Sequence, residues 1–124
     1  MAKILAIDNE PHILLLIKDK LEEHNHNVVT LRQTTNALEI VRREKPDLII
    51  LDWMMPEISG LELCKILKSN VDTHDIPVFI LTGRGNLEDE QRGLRCGAEK
   101  YITKPFSPQL LLELVENSIE KRIS

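Results

Sequence analysis

Cysteine and aromatic residues are scarce in this sequence. Of its 124 residues, two are cysteine, and aromatic residues make up only 3%. Cys64 and Cys96 are far apart and form no Cys-x-x-Cys pair, so neither a zinc site nor a disulfide framework is indicated. We predict that both are reduced thiols that fill space in the interior.

The sequence also lacks a long apolar run, an export signal and a strong excess of one charge. No apolar stretch approaches the roughly 20 residues of a membrane span, and the first residues, MAKILAIDNEP, turn acidic at once, unlike a secretory signal. A formal charge of -4, with both signs interspersed, argues against direct binding of nucleic acid. We expect a cytoplasmic protein without membrane contact, folded as one domain over residues 1–124.

Five short apolar runs recur along the chain, and each is followed by a segment with helical spacing. Residues 48–51 are apolar on both faces, as in parallel strands that helices cover on each side. This pattern predicts an α/β fold built from repeated strand–helix units. The five runs read KILAID (3–8), NVVTLR (27–32), DLIILD (47–52), VFILT (78–82) and KYIT (100–103).

Capping residues indicate where the helices begin and end. Asn36, Asn86 and Ser107 are predicted to cap the second, fourth and fifth helices, because asparagine and serine accept hydrogen bonds from the first turn. Pro108 suits the first position of the fifth helix. Gly97 is predicted to end the fourth helix in a left-handed conformation.

Polar side chains stand at the carboxyl ends of the predicted strands, where open α/β sheets bind their ligands. Asp8 ends the first strand, Asp52 the third and Thr82 the fourth, and Lys104 follows the fifth. In a flavodoxin-like sheet of order 2-1-3-4-5, Asp8 and Asp52 would face each other. Two carboxylates about 4 Å apart repel by on the order of 4 kcal/mol at an effective dielectric near 20, so they call for a shared proton or for a cation such as Lys104 or Mg²⁺.

A carboxylate beside such a cation can act as a nucleophile toward phosphorus. Asp52 would then carry an aspartyl phosphate, while Lys104 and a metal ion neutralise its oxygens. Thr82 can donate a hydrogen bond to a phosphoryl oxygen once one is present. Asp8 and Asn9 have an alternative role as caps of the first helix.

Four motifs follow one another in order along the chain. They are Asp8-Asn9-Glu10-Pro11, LIILDWMMPEISGLEL around Asp52, LTG at Thr82 and GAEKYITKPF around Lys104. Together they resemble the receiver domain of bacterial two-component response regulators, of the chemotaxis-regulator kind, over essentially the whole chain. The resemblance implies a flavodoxin-like doubly wound (βα)5 sandwich with strand order 2-1-3-4-5. It also implies that a sensor histidine kinase, or a histidine phosphotransfer protein, donates a phosphoryl group to Asp52.

The resemblance further implies a metal site for Mg²⁺, or for Mn²⁺ in its place. Its ligands would be Asp8, Asn9, Asp52 and the backbone carbonyl of Met54. Family members carry an acid where this chain has Asn9, so a full negative charge is missing. We therefore expect weak Mg²⁺ binding, for which Glu10 is a candidate compensation.

Thr82 and Tyr101 match the coupled switch pair of the family, in which the threonine moves toward the phosphoryl group and the aromatic ring turns inward. By the same match, Lys104 contacts the phosphoryl group and precedes a cis Pro105. The output surface would comprise the fourth helix, the fifth strand and the fifth helix. It would contact a downstream protein, an attached output domain or, in a phosphorylation-dependent homodimer, a second copy. The chain would be a signalling phosphoacceptor rather than a turnover enzyme.

Two further positions, Met54 and Arg84, vary in the family and are predicted to tune how readily water reaches the acyl phosphate. The first helix offers a docking surface for the kinase or phosphotransfer protein. Leu14 lies at the edge of the predicted core face of this helix, and Leu15 lies nearly opposite that face. Single exposed leucines are the equally weighted alternative. The predicted core residues of this helix are Ile13, Leu16, Ile17 and Leu21.

Three other functions compete with a receiver. A flavodoxin-like cofactor binder needs a phosphate cradle after the first strand, which the acidic Asp8 segment does not provide. An aspartyl-phosphate phosphatase needs a second acid where Met54 stands. A pseudo-receiver would keep the fold and lose regulated phosphorylation through Asn9, and Mg²⁺-dependent phosphorylation of Asp52 separates it from an active receiver.

Overall fold

The computed structural model describes residues 1–83 and 85–123, along which five strands alternate with five helices. All five predicted runs form strands. The strands are β1 (Lys3–Ile7), β2 (Asn27–Leu31), β3 (Leu48–Asp52), β4 (Val78–Thr82) and β5 (Lys100–Thr103). The helices are α1 (Pro11–Glu22), α2 (Ala37–Glu44), α3 (Gly60–Ser69), α4 (Leu87–Arg95) and α5 (Pro108–Ile123).

The strands form one parallel sheet in the order β2-β1-β3-β4-β5. This confirms the α/β class and the predicted strand order. In the register of the sheet, Ile7 is the partner of Leu51, and Asp52 is the partner of Leu81. The carboxyl ends of β1, β3 and β4 therefore lie side by side at one edge.

Helices cover both faces of the sheet, which explains why β3 and β4 are buried along their whole length. One face packs against α1 and α5, which contribute Ile17, Leu21 and Val115 to its core. The other face packs against α2 and α3, with Val41 and Leu67 fully in its core. The sheet is thereby buried beneath helices on both faces, and the loops at its carboxyl edge extend from this core.

Two of the three predicted N-terminal caps are confirmed. The side chain of Asn86 accepts a hydrogen bond from the Asp89 amide at 2.8 Å, and Ser107 Oγ accepts one from the Leu110 amide at 3.1 Å. The predicted stop at Gly97 is confirmed as well, since its φ of 101° is left-handed.

Asn36 stands at the N-cap position of α2, as predicted, but it does not cap the helix with its side chain. Its backbone is left-handed, with φ of 62°, and its side chain makes no capping hydrogen bond. A capping side chain reaches the first turn from extended backbone. Here a turn closed by the Ala37 amide and the Thr34 carbonyl, at 3.0 Å, holds Asn36 in the other conformation.

The buried face of α1 differs from the predicted one. Leu14, Ile17 and Leu21 are buried, whereas Leu16 is 41% and Leu15 59% exposed. Ile13 is half-buried at the margin of the core. The contact of α1 with the sheet and α5 thus selects the stripe through Leu14, and the apolar surface of this helix consists of Leu15 and Leu16.

Both cysteines are free thiols in this fold. Cys64 is fully buried in α3, and burial followed by the proximity of Cys96 raises the pKa of its thiol to about 11. Cys96 is half-buried at the end of α4. The Cys64 side chain thus remains a neutral packing group at physiological pH.

Within the described part of the chain, no helix combines the length and the apolar character that a membrane crossing requires.

Candidate functional site

Asp8, Asp52 and Lys104 come together at the carboxyl edge of the sheet. Asp8 directly follows β1, Asp52 is the last residue of β3, and Lys104 directly follows β5. Because β1 and β3 are parallel neighbours, their ends bring the two carboxylates to the same point. The convergence expected from the sequence is confirmed.

The ammonium group of Lys104 contacts three carboxylates. Its Nζ lies 2.9 Å from Asp8 Oδ2, 3.0 Å from Glu10 Oε1 and 3.4 Å from Asp52 Oδ1. The side chains of Asp8 and Asp52 are almost completely buried, whereas that of Glu10 is about half exposed at 46%. The amine therefore joins two interior acids to one at the surface. Lys104–Pro105 is a cis peptide bond, as predicted.

The crowding of charge changes the acidity of the site. Burial, together with the neighbouring charge of Asp8, raises the pKa of Asp52 from 3.8 to about 6, although Lys104 opposes the rise. Burial alone would lower the pKa of Lys104, but its contacts with Asp8, Glu10 and Asp52 raise it. The hydrogen bond from Lys104 lowers the pKa of Glu10. Burial and the neighbouring acid thus oppose the ionisation of Asp52, and the Lys104 amine partly offsets them.

Oxygen ligands for a divalent ion are present at this point. One carboxylate oxygen from each of Asp8, Glu10 and Asp52 lies within 4.8 Å of the others. Carboxylate oxygens are the ligands that Mg²⁺ prefers in proteins, and the Lys104 amine contacts the same three residues. The donor set therefore fits a hard cation. Asn9 lies between Asp8 and Glu10 in the sequence, and it is exposed.

Asp8 does not cap α1 with its side chain. Its Oδ1 accepts a hydrogen bond from the Glu10 amide at 2.9 Å, and Glu10 is the residue that precedes the helix. Glu10 itself makes no side-chain capping bond. The alternative role of Asp8 as a helix cap is therefore not the one seen, and its second oxygen faces Lys104.

The segment after Asp52 folds back tightly onto the strand. The Met54 amide donates to Asp52 Oδ1 at 3.3 Å, and the Gly60 amide donates to the Trp53 carbonyl at 2.9 Å. A Cβ on Gly60 would lie 2.1 Å from the Asp52 carbonyl oxygen, so only glycine fits there. Sequence reasoning did not single out Gly60, although the Ser59 cap before it signals the start of α3.

Thr82 and Tyr101 lie on the adjacent strands β4 and β5, where Thr82 is the partner of Thr103 and Tyr101 is the partner of Ile80. Thr82 is fully buried at the end of β4, and its carbonyl accepts a hydrogen bond from the Lys104 amide at 2.7 Å. The half-buried Tyr101 ring packs edge-on against Trp53, with ring centroids 5.9 Å apart. Gly93 leaves room for it, since a Cβ there would meet Tyr101 Cδ1 at 2.8 Å. The aromatic ring is thus connected to the residue that follows Asp52.

Of the two predicted tuning positions, the structure describes Met54. Met54 is 56% exposed above the site, whereas Arg84 lies outside the described residues. On α1, the predicted docking pair is corrected by the fold: Leu14 is buried, so Leu15 remains as its exposed member, with Leu16 beside it.

Comparison with known proteins gives one consistent result. The family model described as "Response regulator receiver domain" matches residues 4–116. The phosphate regulon transcriptional regulatory protein PhoB of Klebsiella pneumoniae is 42% identical over 122 residues, which are 98% of this chain and 53% of that protein. The alkaline phosphatase synthesis transcriptional regulatory protein PhoP of Bacillus subtilis is 40% identical over 107 residues, 86% of this chain and 44% of that protein. The chain thus spans about half the length of these relatives.

Solved structures agree with this result. The receiver domain of the Francisella response regulator 1452 superposes with a TM-score of 0.92 at 32% identity, covering 98% of this chain and 99% of that one. The BeF3-activated N-terminal receiver domain of Klebsiella pneumoniae RstA superposes with a TM-score of 0.87 at 32% identity, covering 94% and 97%.

Proposed function

The chain belongs to the response regulator receiver domain family, and on that premise we propose that Asp52 is the residue that accepts the phosphoryl group. The observation that carries this assignment is the position of the Lys104 amine, 3.4 Å from Asp52 Oδ1 and 2.9 Å from Asp8 Oδ2. It places a fixed positive charge beside a nucleophile that would otherwise repel an anionic donor.

In the proposed reaction, an Asp52 carboxylate oxygen attacks the phosphorus of a phosphohistidine. The new O–P bond forms as the P–N bond breaks, and the released imidazole nitrogen takes up a proton. Lys104 stabilises negative charge on the phosphoryl oxygens. Thr82 donates a hydrogen bond to one of them after transfer. Asp52 must be ionised to attack, and because burial and the charge of Asp8 raise its pKa to about 6 in the metal-free protein, a bound cation that favours the ionised form should favour transfer.

The proposed cofactor is Mg²⁺, with Mn²⁺ as a substitute. Asp8, Asp52 and the Met54 carbonyl would hold it, with Asn9 or Glu10 as the further ligand. When bound, the ion adds positive charge beside the transferred phosphoryl group. Glu10 supports this set because its carboxylate lies within 4.8 Å of the other two acids. Position 9 is asparagine instead of an acid, and Glu10 restores the missing negative charge to the site.

In this proposal, the domain contacts its partners through two surfaces near the site: one formed by α4, β5 and α5, and one on α1. Thr82 and Tyr101 form the switch pair that reports phosphorylation to the surface of α4, β5 and α5. That surface contacts a downstream protein, an attached output domain or a second copy, and the length of the relatives favours an attached domain. Leu15 on α1, exposed by 59%, is the proposed contact for the kinase or phosphotransfer protein.

We further propose that the domain is a phosphoacceptor without turnover, works in the bacterial cytoplasm and makes no direct contact with nucleic acid or membrane. Met54 and Arg84 retain their proposed role in tuning the lifetime of the acyl phosphate. A lifetime that does not change in Met54→Ala or Arg84→Ala would refute that role.

Asn9 gives a specific reason to consider a pseudo-receiver as the second candidate function. Intact mass after incubation with a small acyl phosphate, with and without Mg²⁺, separates the two. An active receiver gains one phosphoryl group only with Mg²⁺, and Asp52→Ala gains none. Absence of any gain in the folded native chain at high Mg²⁺ would favour the pseudo-receiver.

A further inference from the structure

Thr34 is a buried polar residue that joins two loops at the carboxyl edge of the sheet. It lies between β2 and α2 and is only 3% exposed. Its Oγ1 donates to the Ile58 carbonyl at 3.2 Å and accepts from the Ile58 amide at 3.2 Å. One hydroxyl thus satisfies both backbone groups of a residue in the β3–α3 loop, which comprises residues 53–59.

This contact completes the attachment of the β3–α3 loop. At its start, the Met54 amide is held by Asp52, and at its end the Gly60 amide is held by the Trp53 carbonyl. Between these points Thr34 holds Ile58, with longer contacts of 3.4 Å from its amide and hydroxyl to Glu57. The middle of the loop is therefore fixed from a different strand connection.

We propose that Thr34 is a positioning residue for phosphorylation, whose hydroxyl holds the β3–α3 loop so that the Met54 backbone carbonyl is kept in place for Mg²⁺. The proposal rests on the proposed function. Without the hydroxyl, the amide and carbonyl of Ile58 lose their partner, and the loop must move to reach water. Such a movement changes the path of the chain from Asp52 to Gly60, which includes Met54.

The test compares three variants of the full chain. Thr34→Val removes the hydroxyl at nearly equal volume, and Thr34→Ser retains it. Thr73→Val is the matched control: Thr73 is 2% exposed, and its hydroxyl donates to the Leu67 carbonyl at 2.6 Å in the connection between α3 and β4. Three quantities are measured: Mg²⁺ affinity from Trp53 fluorescence, phosphorylation by an acyl phosphate from intact mass, and stability from urea denaturation.

We expect both valine variants to lose stability, but only Thr34→Val to need about tenfold more Mg²⁺ for half-saturation. Loss of a group that supports a metal ligand typically weakens metal binding by about 10–100-fold, and we take the lower value. Its phosphorylation should show the same shift in Mg²⁺ dependence, and Thr34→Ser should behave like the native chain. Equal Mg²⁺ affinity in Thr34→Val and Thr73→Val would overturn the proposal. If Thr34→Val does not fold, Thr34→Ala, which leaves space for a water molecule, replaces it in the same comparison.

The native chain separates this inference from the proposed function. If the native chain takes up no phosphoryl group, the proposed function itself is refuted. If it does, and Thr34→Val retains native Mg²⁺ affinity, only the role of Thr34 is refuted.

Discussion

The raised pKa of Asp52 predicts that this residue destabilises the metal-free fold at neutral pH. A pKa of about 6 instead of the ordinary 3.8 corresponds to a loss of about 3 kcal/mol in the free energy of unfolding at pH 7.5. Ionisation of Asp52 is less favourable in the folded state than in the unfolded state. The protonated form therefore favours folding: the free energy of unfolding is highest below pH 3.8 and decreases as the pH rises through about 6. Asp52→Asn keeps the shape and removes the charge, so it should be more stable than the native chain.

The expected gain is about 1–3 kcal/mol at pH 7.5, the lower values applying where Asp8 and Lys104 readjust. The amide introduced by this substitution carries no charge to pair with Lys104, yet Lys104 retains its contacts with Asp8 and Glu10. Near pH 4 the difference should fall to about 0.5 kcal/mol. Mg²⁺ should stabilise the native chain more than the variant, because the ion relieves the same repulsion.

Urea denaturation in the presence of a chelator, at pH 7.5 and at pH 4, measures these differences. Asp19→Asn on the exposed side of α1 is the control, with an expected change within about 0.5 kcal/mol at both pH values. A metal-free Asp52→Asn variant that is less stable than the native chain at pH 7.5 would refute the reasoning. So would a difference that is independent of pH.

Three other substitutions test the packing around the site. Gly60→Ala should lower the free energy of unfolding by at least about 1–3 kcal/mol in urea denaturation, because the new Cβ overlaps the Asp52 carbonyl oxygen; an unchanged midpoint would contradict this. Ser118→Ala should raise it by about 1 kcal/mol, since this buried hydroxyl has no hydrogen-bond partner among the described residues; a loss of stability would refute it. Gly93→Ala should displace the Tyr101 ring and alter tryptophan fluorescence, while the better helix propensity of alanine, about 1 kcal/mol, offsets much of the packing cost; an unchanged emission spectrum would argue against this packing.

The sheet and the centre of the site could be predicted from sequence because their signals are local. Strands that are apolar on both faces and end in Asp8 or Asp52 specify both their burial and the edge at which the acids meet. The order of the strands came from the family resemblance, since spacing alone does not select one order.

The details that were missed depend on contacts between distant segments. Residues 13–17 are all apolar, so their spacing does not choose between faces, and packing on the sheet and α5 buried Leu14 instead of Leu16. The conformation of Asn36 follows from a turn that no capping pattern reveals. Glu10 was expected as a compensating charge, but its hydrogen bond with Lys104 was not, because the two residues are far apart in the sequence.

The hydrogen bond between Lys104 and Glu10 joins residues that are 94 positions apart. Because Lys104 directly follows β5, this contact exists only while β5 is paired with β4 at the edge of the sheet. A molecule whose β5 has not docked, or has detached, still contains Asp52 but lacks the amine beside it. Partly folded copies should therefore be poor phosphoryl acceptors, which restricts signalling to molecules that have folded completely.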